Sequence, residues 1–584
     1  MKYWLINPKH EGSYTDLSDM DINSVTMGWD SNACPKFYKS VIAGDIIIVA
    51  SNSHLNNQCY YWGVADTLDI NGRCWILKGS TKEKCDEISE IIKKNPSDFG
   101  GGYSPNPWGP TNSIIELRNS ASENKIKSIL NSKIAMESYR KLLHNNHNLI
   151  LTGAPGTGKT YLAKQIAQQM IFGYVKEEKE FTDVEKKQFN EHCGFVQFHP
   201  SYDYTDFVEG LRPVQDENGN VGFKRKNGVF KEFCKKAEKN WIDSKKSIDV
   251  LQKEFDNKEL IDSFLSNAIN EETIYKTKNG TEFNITDFDD DIISIKILRN
   301  KTRGNIDIDI NINKHKLVKL LENDLQLNNV RDIKQFFGYT NTQHRDSYIF
   351  TICNEIRNLP KVNSVQIDPI VCKNFVFIID EINRGEISKI FGELFFSIDP
   401  GYRGKNGKVK TQYQNLIEVG DEFYDGFFVP ENVYIIGTMN DIDRSVESMD
   451  FAMRRRFAFK EIKAEDRVDM IKENTKLSPY FDDIEKRMRN LNDCILSIQG
   501  LSSDYQIGAS YFLKLENYLV NDQLEESSWN DLWDNHISGL LFEYLRGTSN
   551  PAKDLEKLKN AYMFPDVNKY DKDGKAVTKD NNNE

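Results

Sequence analysis

Short apolar runs separated by polar and helical stretches predict an α/β protein over much of this chain. Between residues about 134 and 460, the runs at 149–151, 374–379 and 434–436 have the length and composition of buried parallel strands. From about 461 to 564 the spacing of apolar residues is helical instead. Helices are predicted at 465–474, 480–496 and 532–545. We therefore expect a parallel α/β domain followed by a helical domain.

The first 118 residues follow a different pattern, rich in aromatic side chains and punctuated by glycine and asparagine. Strand-like runs at 3–6, 45–50, 60–65 and 74–77 predict a small, β-rich domain. Residues 119–133 are polar and predict a linker or a connecting helix. Residues about 236–370 lengthen the α/β domain well beyond a compact core and are predicted to be an insertion. The tail at 565–584 has almost no apolar residues and is predicted to be disordered.

Length, composition and charge limit the classes of protein to which this chain can belong. A chain of 584 residues with 39% hydrophobic and 28% charged residues predicts a globular protein of several domains. No apolar run reaches the roughly 18 residues that span a bilayer, and the first residues lack a secretion signal. The nine cysteines are scattered singly, which favours a reducing cytoplasm. Because the net charge is −12, any contact with nucleic acid must be local.

A phosphate-binding loop is predicted at 153–160, GAPGTGKT, between the run at 149–151 and a helical pattern at 161–170. Its glycines allow backbone N–H groups to turn towards phosphate oxygens, and the helix that follows adds its positive end. Lys159 is expected to reach the β- and γ-phosphates, and Thr160 to hold Mg²⁺. The predicted nucleotide-binding residues are Gly153, Pro155, Gly156, Thr157, Gly158, Lys159 and Thr160.

Two carboxylates, Asp380 and Glu381, end the apolar run at 374–379. On a chain with a phosphate loop, Asp380 is expected to orient Mg²⁺, and Glu381 to act on the attacking water. Alone, such a pair would be more typical of an ordinary surface.

Asn440 follows the run at 434–436 and is a candidate sensor of the γ-phosphate and the water. Asn440 and Asp443 have the Asn-x-x-Asp spacing by which small GTPases bind guanine, but their place after the acidic strand suits the sensor better. Arg454 and Arg455, with the neighbouring Arg456, could supply positive charge to the active site of an adjacent subunit. The alternative for the arginines is a solvated basic surface.

Taken together, these motifs resemble the AAA+ superfamily, and within it the McrB family of motor subunits from modification-dependent restriction systems. The segments that carry the resemblance are GAPGTGKT (153–160), FVQFHPSYDYTDFVEGLRP (195–213), FVFIIDEINRGEISKIFGELF (375–395), GTMNDIDRSVESMDFAMRRRF (437–457) and YQIGASYF (505–512). The resemblance implies an AAA+ P-loop NTPase with a C-terminal helical lid at 461–564.

The resemblance also implies roles. Asp443 and Arg444 complete the family signature beside Asn440, and Arg454 and Arg455 are the finger candidates. The family implies Mg²⁺, a preference for GTP over ATP, a hexameric ring and a separate McrC-type nuclease subunit. The one sequence in this chain that imitates a PD-(D/E)xK nuclease motif lies in the 565–584 tail, so another chain is expected to cut DNA.

The N-terminal segments YWLINP (3–8), GWD (28–30), GDIIIVAS (44–51) and YWGVA (61–65) resemble EVE-type domains, relatives of the PUA and YTH folds. That resemblance implies a domain that binds a flipped, modified DNA base. Candidate pocket residues are Trp29, Ser51, Asn52 and Trp108, whereas Trp4 and Trp62 lie within strands and are expected in the core. The rival functions are an ATPase of MoxR type that remodels protein complexes, and a non-hydrolytic scaffold.

Overall fold

The computed structural model describes the chain in two compact units, Met1–Lys141 and Leu142–Glu584. The residues described are 1–6, 9–10, 13–14, 24–26, 41–53, 56–68, 74–81, 86–94, 114–117, 120–215, 221–289, 292–298, 308–323, 327–339, 343–359, 365–417, 423–440, 442 and 451–564. In the described part of the chain, no helix combines the length and the apolar character needed to cross a membrane.

The first unit contains a six-stranded mixed sheet. In spatial order its strands are Ser24–Thr26, Cys74–Thr81, Asn56–Leu68, Ile46–Ser53, Tyr3–Ile6 and Ile114–Glu116. The short strands Lys9–His10 and Ser13–Tyr14 pair with each other, and the helices of this unit are Asp86–Lys94 and the first part of Ala121–Asn146. The four strands predicted here all form, and the three after the first extend beyond the predicted ranges.

Buried tryptophans hold the core of this sheet, as their positions within strands predict. Trp4 is 1% exposed and Trp62 is 5% exposed. The indole Nε1 of Trp4 donates to the buried carboxylate of Asp45, at 2.9 Å. The backbone N–H of Lys2 donates to the other oxygen of Asp45, at 2.8 Å. The Asp45 carboxylate therefore connects the strand Tyr3–Ile6 to the turn that precedes the strand Ile46–Ser53. The polar stretch at 119–133 lies within the helix Ala121–Asn146 for most of its length.

A five-stranded, wholly parallel sheet forms the centre of the second unit. In spatial order its strands are Cys193–Gln197, Phe375–Asp380, Val433–Thr438, Asn148–Thr152 and Ala458–Glu461. The helices around it are Lys159–Phe172, Asp183–His192, Tyr204–Phe207, Val229–Asp243, Ile387–Phe391, Leu394–Ser397 and Phe451–Arg454. The three middle strands are buried along nearly their whole length, as their continuous apolar runs predict. Their carboxyl ends meet at one edge, where the polar motifs follow.

The helical lid follows the last strand of this sheet. Its helices are Asp469–Glu473, Phe481–Leu496, Ala509–Phe512, Glu526–Leu532, Ser538–Leu545 and Pro551–Met563. They enclose a hydrophobic core of their own that includes Trp529, Trp533 and Tyr562. The helix predicted at 532–545 is interrupted by a π-helical turn, Trp533–Ile537, and the one predicted at 465–474 is a 3₁₀ turn followed by one short helix.

The predicted insertion forms an α/β subdomain with a separate core. Its four-stranded antiparallel sheet is covered by helices. The strands are Ile274–Lys276, Glu282–Phe288, Ile292–Leu298 and Ile308–Asn313, and the helices are Ile248–Asn270, Lys314–Glu322, Val330–Phe337 and Asp346–Arg357. The helix Val229–Asp243 instead packs Phe230, Phe233 and Cys234 into the central core, so the insertion starts after this helix.

Two side-chain amides hold the entry and exit of the insertion side by side. Asn240 Nδ2 donates to the carbonyl of Val371, at 3.3 Å, and Asn240 Oδ1 accepts from the N–H of Lys373, at 2.8 Å. Gln252 makes the same pair of bonds to Val365 and Ile367, at 3.0 Å each. The chain therefore leaves the central domain and returns to it at one place.

Candidate nucleotide site

The loop at 153–160 joins the strand Asn148–Thr152 to the helix Lys159–Phe172. Gly153, Gly156 and Gly158 have positive φ angles of 135°, 78° and 78°, which L-residues with side chains rarely adopt. A Cβ on Gly153 would lie 2.2 Å from the carbonyl oxygen of Ile462, so that position also needs glycine for space. The backbone of the loop is thus shaped as a phosphate cradle.

Lys159 lies folded into this loop and is 7% exposed. Its Nζ donates to the carbonyls of Gly153, at 2.9 Å, and of Ala154, at 2.8 Å. These carbonyls hold the ammonium group inside the cradle, where a bound phosphate could replace them as acceptor.

A single carboxylate oxygen links two neighbouring strands and the helix after the phosphate loop, at the edge of the sheet. Asp380 Oδ1 accepts from the hydroxyl of Thr160 and from the hydroxyl of Thr438, both at 2.6 Å. The Thr160 hydroxyl and the Asp380 carboxylate therefore converge from the phosphate loop and the neighbouring acidic strand. Hard oxygen ligands of this kind fit Mg²⁺, which takes few protein ligands alongside substrate phosphates.

Glu381 has a left-handed backbone, with φ of 51°, immediately after the acidic strand. For a residue other than glycine this conformation costs about 1 kcal/mol or more and is enriched at functional sites. Its carboxylate accepts from Asn440 Nδ2, at 2.8 Å, and lies 3.4 Å from Arg384 Nε. The backbone N–H of Glu381 donates to the Thr438 hydroxyl, at 3.2 Å. The adjacent carboxylates of Asp380 and Glu381 thus join Thr438 and Asn440, nearly 60 residues further along the chain, in one hydrogen-bonded row.

The three consecutive arginines have different surroundings. Arg454 and Arg455 are exposed, and the Arg454 guanidinium lies 5.7 Å from the centre of the Phe459 ring. Arg456 is 8% exposed, and its Nε donates to the carbonyl of Phe395, at 2.6 Å. Its backbone carbonyl accepts from the buried amide of Asn148, at 2.8 Å. Arg456 therefore has a structural position, and the other two can reach a second molecule.

The lid contacts the phosphate loop through the segment at 505–512. The N–H groups of Gly508 and Ser510 donate to the carbonyls of Pro155 and Gly156, at 3.0 Å each. A Cβ on Gly508 would lie 2.2 Å from the carbonyl carbon of Gly156, so only glycine permits this approach. The Tyr511 ring packs against Gly156, and burial raises the pKa of its phenol, which stays neutral. This segment carries part of the family resemblance, but no pattern in the sequence indicates its contact with the loop.

Thr438 and Arg384 are further site residues that the sequence pattern does not reveal. Thr438 looks like an ordinary β-branched strand residue, and Arg384 carries no chemical signal beyond its place in a family-like segment. Asp443, Arg444, Trp29 and Trp108 lie outside the described residues. Ser51 and Asn52 lie in the strand Ile46–Ser53, but their side chains are not among those described.

Replacing Thr438 with valine should lower the rate of nucleotide hydrolysis about tenfold and change nucleotide affinity less than about threefold. Valine keeps the shape but removes the acceptor of the Glu381 N–H and a donor to Asp380. An unsatisfied group of this kind costs roughly 1–3 kcal/mol. Steady-state hydrolysis and the Kd of a fluorescent nucleotide would measure both effects. Thr438→Ser keeps the hydroxyl and should keep the rate. A valine variant as fast as the native protein would refute this role.

Three family models match parts of this chain. The family model described as AAA domain (dynein-related subfamily) matches residues 313–457, and the one described as McrB, alpha-helical lid domain matches residues 483–553. The model described as Novel STAND NTPase 3 matches residues 132–192, which include the phosphate loop. The fold and these matches define an AAA+ P-loop NTPase with a C-terminal helical lid.

Two curated relatives bear on the family. The chain is 25% identical over 428 residues to the type IV methyl-directed restriction enzyme EcoKMcrB subunit of Escherichia coli (strain K12), covering 72% of this chain and 59% of that protein. It is 31% identical over 98 residues to the type II restriction enzyme BsuMI component YdiS of Bacillus subtilis (strain 168), covering 16% of this chain and 28% of that protein. Together with the lid, the first of these supports the McrB family within the AAA+ class.

Proposed function

We propose that this chain is the GTP-hydrolysing motor subunit of a restriction system that acts on modified DNA in the cytoplasm. The observation that carries the proposal is the row of hydrogen bonds that joins Thr160, Asp380, Thr438, Glu381 and Asn440 beside the phosphate loop. Similarity to the restriction subunit of E. coli supports the restriction context. That similarity spans less than two thirds of the relative.

Each residue of this row has a separate role in the proposed hydrolysis. The loop N–H groups and Lys159 bind the phosphates, and Thr160 and Asp380 would hold Mg²⁺, which neutralises phosphate charge when bound. Glu381 accepts the proton of the attacking water, and Asn440 holds the Glu381 carboxylate in place. The Asn440 amide lies between that carboxylate and the end of its own strand, where it can contact the γ-phosphate.

Within the described residues, the cations nearest the carboxylate row are Lys159 and Arg384, and Arg384 already pairs with Glu381. Among the described cations, Lys159 lies in the phosphate loop, whereas Arg454 and Arg455 are exposed just before the edge strand Ala458–Glu461. We infer that a neighbouring copy donates one of these arginines, and that the working form is a closed ring, hexameric as in the family it resembles.

The remaining parts of the proposal concern partners. The first unit is proposed to bind a modified base in the manner of EVE-type domains, with Trp29, Ser51, Asn52 and Trp108 as pocket candidates. The ring would act with a separate McrC-like nuclease of PD-(D/E)xK type. Asp443 and Arg444 are proposed to complete the sensor segment.

Hydrolysis measured with GTP and with ATP at equal concentration tests the nucleotide. We expect GTP to be hydrolysed faster by at least about tenfold. Removal of Mg²⁺ by a chelator should stop the reaction, because the metal supplies the positive charge at the phosphates that the Thr160 hydroxyl and the Asp380 carboxylate cannot. The Glu381→Gln variant serves as the background control for contaminating enzymes. Strict use of ATP would contradict the GTPase and would favour the rival class of protein-remodelling ATPases.

A further inference from the structure

A separate two-stranded antiparallel sheet, called the hairpin below, lies in the chain between the strand Cys193–Gln197 and the helix Val229–Asp243, and its described residues are 209–215 and 221–227. Its strands, Glu209–Gln215 and Val221–Asn227, pair antiparallel, with Pro213 opposite Phe223. Phe223 is 71% exposed and Val221 is 66% exposed. Two aromatic side chains at the base of the hairpin, Phe207 and Phe230, are instead fully buried. Leu211 and Val214 on the paired strand are exposed as well, so the exposed apolar side chains are grouped on this hairpin, and such grouping is typical of an interaction surface.

Cations occupy the opposite face of the same hairpin. Alternation along the strand places Lys224 and Lys226 on one side and Phe223 on the other. Both lysines are exposed, and within the described residues neither ammonium group forms an ion pair. The cation opposite Lys224 is Arg212, which pairs with Asp206 at 2.5 Å. The described part of the hairpin therefore combines an exposed aromatic ring with two exposed lysines that form no ion pair with another described residue.

A buried ionic cluster fixes the base of the hairpin. The Glu209 carboxylate is fully buried and accepts from Lys231, at 2.7 Å, from Arg225, at 3.0 Å, and from the N–H of Tyr413, at 3.0 Å. Lys231 Nζ also lies 3.3 Å from the Thr411 hydroxyl. These buried bonds thus hold the hairpin against the segment 405–413.

That segment carries three more exposed lysines. They are Lys405, Lys408 and Lys410, and Lys410 directly precedes the anchored Thr411. Lys408 is 3.9 Å from the exposed Asp425, a contact that solvent weakens. The hairpin and the segment 405–413 are distant in sequence, but both carry exposed lysines and both are attached to the buried Glu209 cluster. The net charge of the whole chain is −12. Locally concentrated lysines on an acidic protein indicate a polyanionic partner.

We propose that the hairpin strands 209–215 and 221–227 and the lysine segment 405–410 form a nucleic-acid contact of this protein, additional to the N-terminal unit. The lysines neutralise phosphates, and Phe223 stacks on a base or packs against a sugar of a single-stranded or opened region. This inference rests on the proposed function only in supposing that the partner is DNA.

The test compares two hairpin variants of the full-length chain with a matched control. The double variant Lys224→Ala/Lys226→Ala and the single variant Phe223→Ala alter the surface. The control is Lys186→Ala/Lys187→Ala, which removes two exposed lysines from the helix Asp183–His192. Fluorescence anisotropy with labelled unmodified duplex and single-stranded oligonucleotides gives Kd over a range of salt concentrations.

The lysine variant should reduce the slope of log Kd against log salt by about 1 for each phosphate that is no longer neutralised, whereas the control should leave the slope unchanged. Phe223→Ala should weaken single-strand binding by about tenfold with little change in slope. Equal affinities and slopes for the hairpin variants and the control would overturn the inference. So would hairpin variants that keep DNA binding but no longer capture a nuclease subunit.

Hydrolysis without DNA separates this inference from the proposed function. The hairpin residues lie outside the phosphate loop and the carboxylate row, so both variants should hydrolyse nucleotide at the native basal rate. A native protein that hydrolyses nothing would refute the motor, and its DNA-binding slopes would still decide the role of the hairpin. If Phe223→Ala does not fold, the lysine variant alone decides.

Discussion

Replacing Glu381 with glutamine should lower the turnover of nucleotide at least about 100-fold and leave the Kd for nucleotide within a few-fold. Glutamine has the same shape and can still accept from Asn440, but it cannot take a proton from water. Loss of a positioned general base costs roughly 10²–10⁴ in rate. Steady-state phosphate release measures turnover, and a fluorescent nucleotide measures binding.

The matched control for this variant is Glu386→Gln, five residues further along the same segment. Glu386 is exposed and pairs with Lys389, so its replacement removes the same charge without touching the hydrogen-bonded row. This control should hydrolyse at the native rate. If Glu381→Gln keeps more than about half of the native turnover, Glu381 is not the base. A parallel loss of nucleotide binding would instead point to a structural role for the ion pair with Arg384.

Loss of Arg454 and Arg455 should have a comparable effect that depends on the neighbouring subunit. The double variant Arg454→Ala/Arg455→Ala should lose roughly 10³-fold in turnover, since a finger arginine is worth about 10³–10⁵. Mixing this variant with Glu381→Gln should restore measurable activity. Each variant is inactive alone, but a mixed ring contains interfaces that join an intact Glu381 to intact arginines. Activity of the mixture is measured over a range of ratios.

Two controls make this experiment decisive. Lys460→Ala removes an exposed cation from the adjoining strand and should leave turnover unchanged. Arg456→Ala should lower thermal stability, because it empties a buried site that holds the carbonyl of Phe395. Mixtures no more active than their components would show that the exposed arginines do not act across a subunit boundary, even if the double variant itself is slow.

Much of the site could be predicted because its chemistry is local in the sequence. A glycine-rich loop between a strand and a helix, and a carboxylate pair at the end of a buried run, determine their positions within a few residues. Parallel strands bring their carboxyl ends to one edge of the sheet, so Thr160, Asp380 and Asn440 could be expected near one another without knowledge of the rest of the fold.

Residues that depend on strand register or on distant packing could not be predicted. Thr438 contacts Asp380 because Ile379 is paired with Gly437, which a single sequence does not reveal. Gly508 contacts Gly156 only in the folded protein, where the lid packs against the phosphate loop. The buried position of Arg456 depends on Phe395, in the helix Leu394–Ser397, and on Asn148, in another strand of the sheet. The helix Val229–Asp243 spans the boundary predicted near 236, and that it packs into the central core depends on contacts with distant strands that a single sequence does not reveal.

The amides of Asn240 and Gln252 have a consequence for how the domain assembles. The nucleotide site forms only when the phosphate loop and the acidic strand, far apart in the sequence, come together. The entropic cost of closing the loop between them opposes this step. If the segment from Ile248 to Arg357 folds first around its own core, its ends are pinned by the hydrogen bond between Asn240 and Val371, which spans 131 of the 220 residues between Thr160 and Asp380. The effective loop is then roughly 2.5-fold shorter, and under a (3/2)RT ln n dependence this lowers the entropic cost of closure by about 0.8 kcal/mol. The insertion would then assist the folding of the domain that it interrupts.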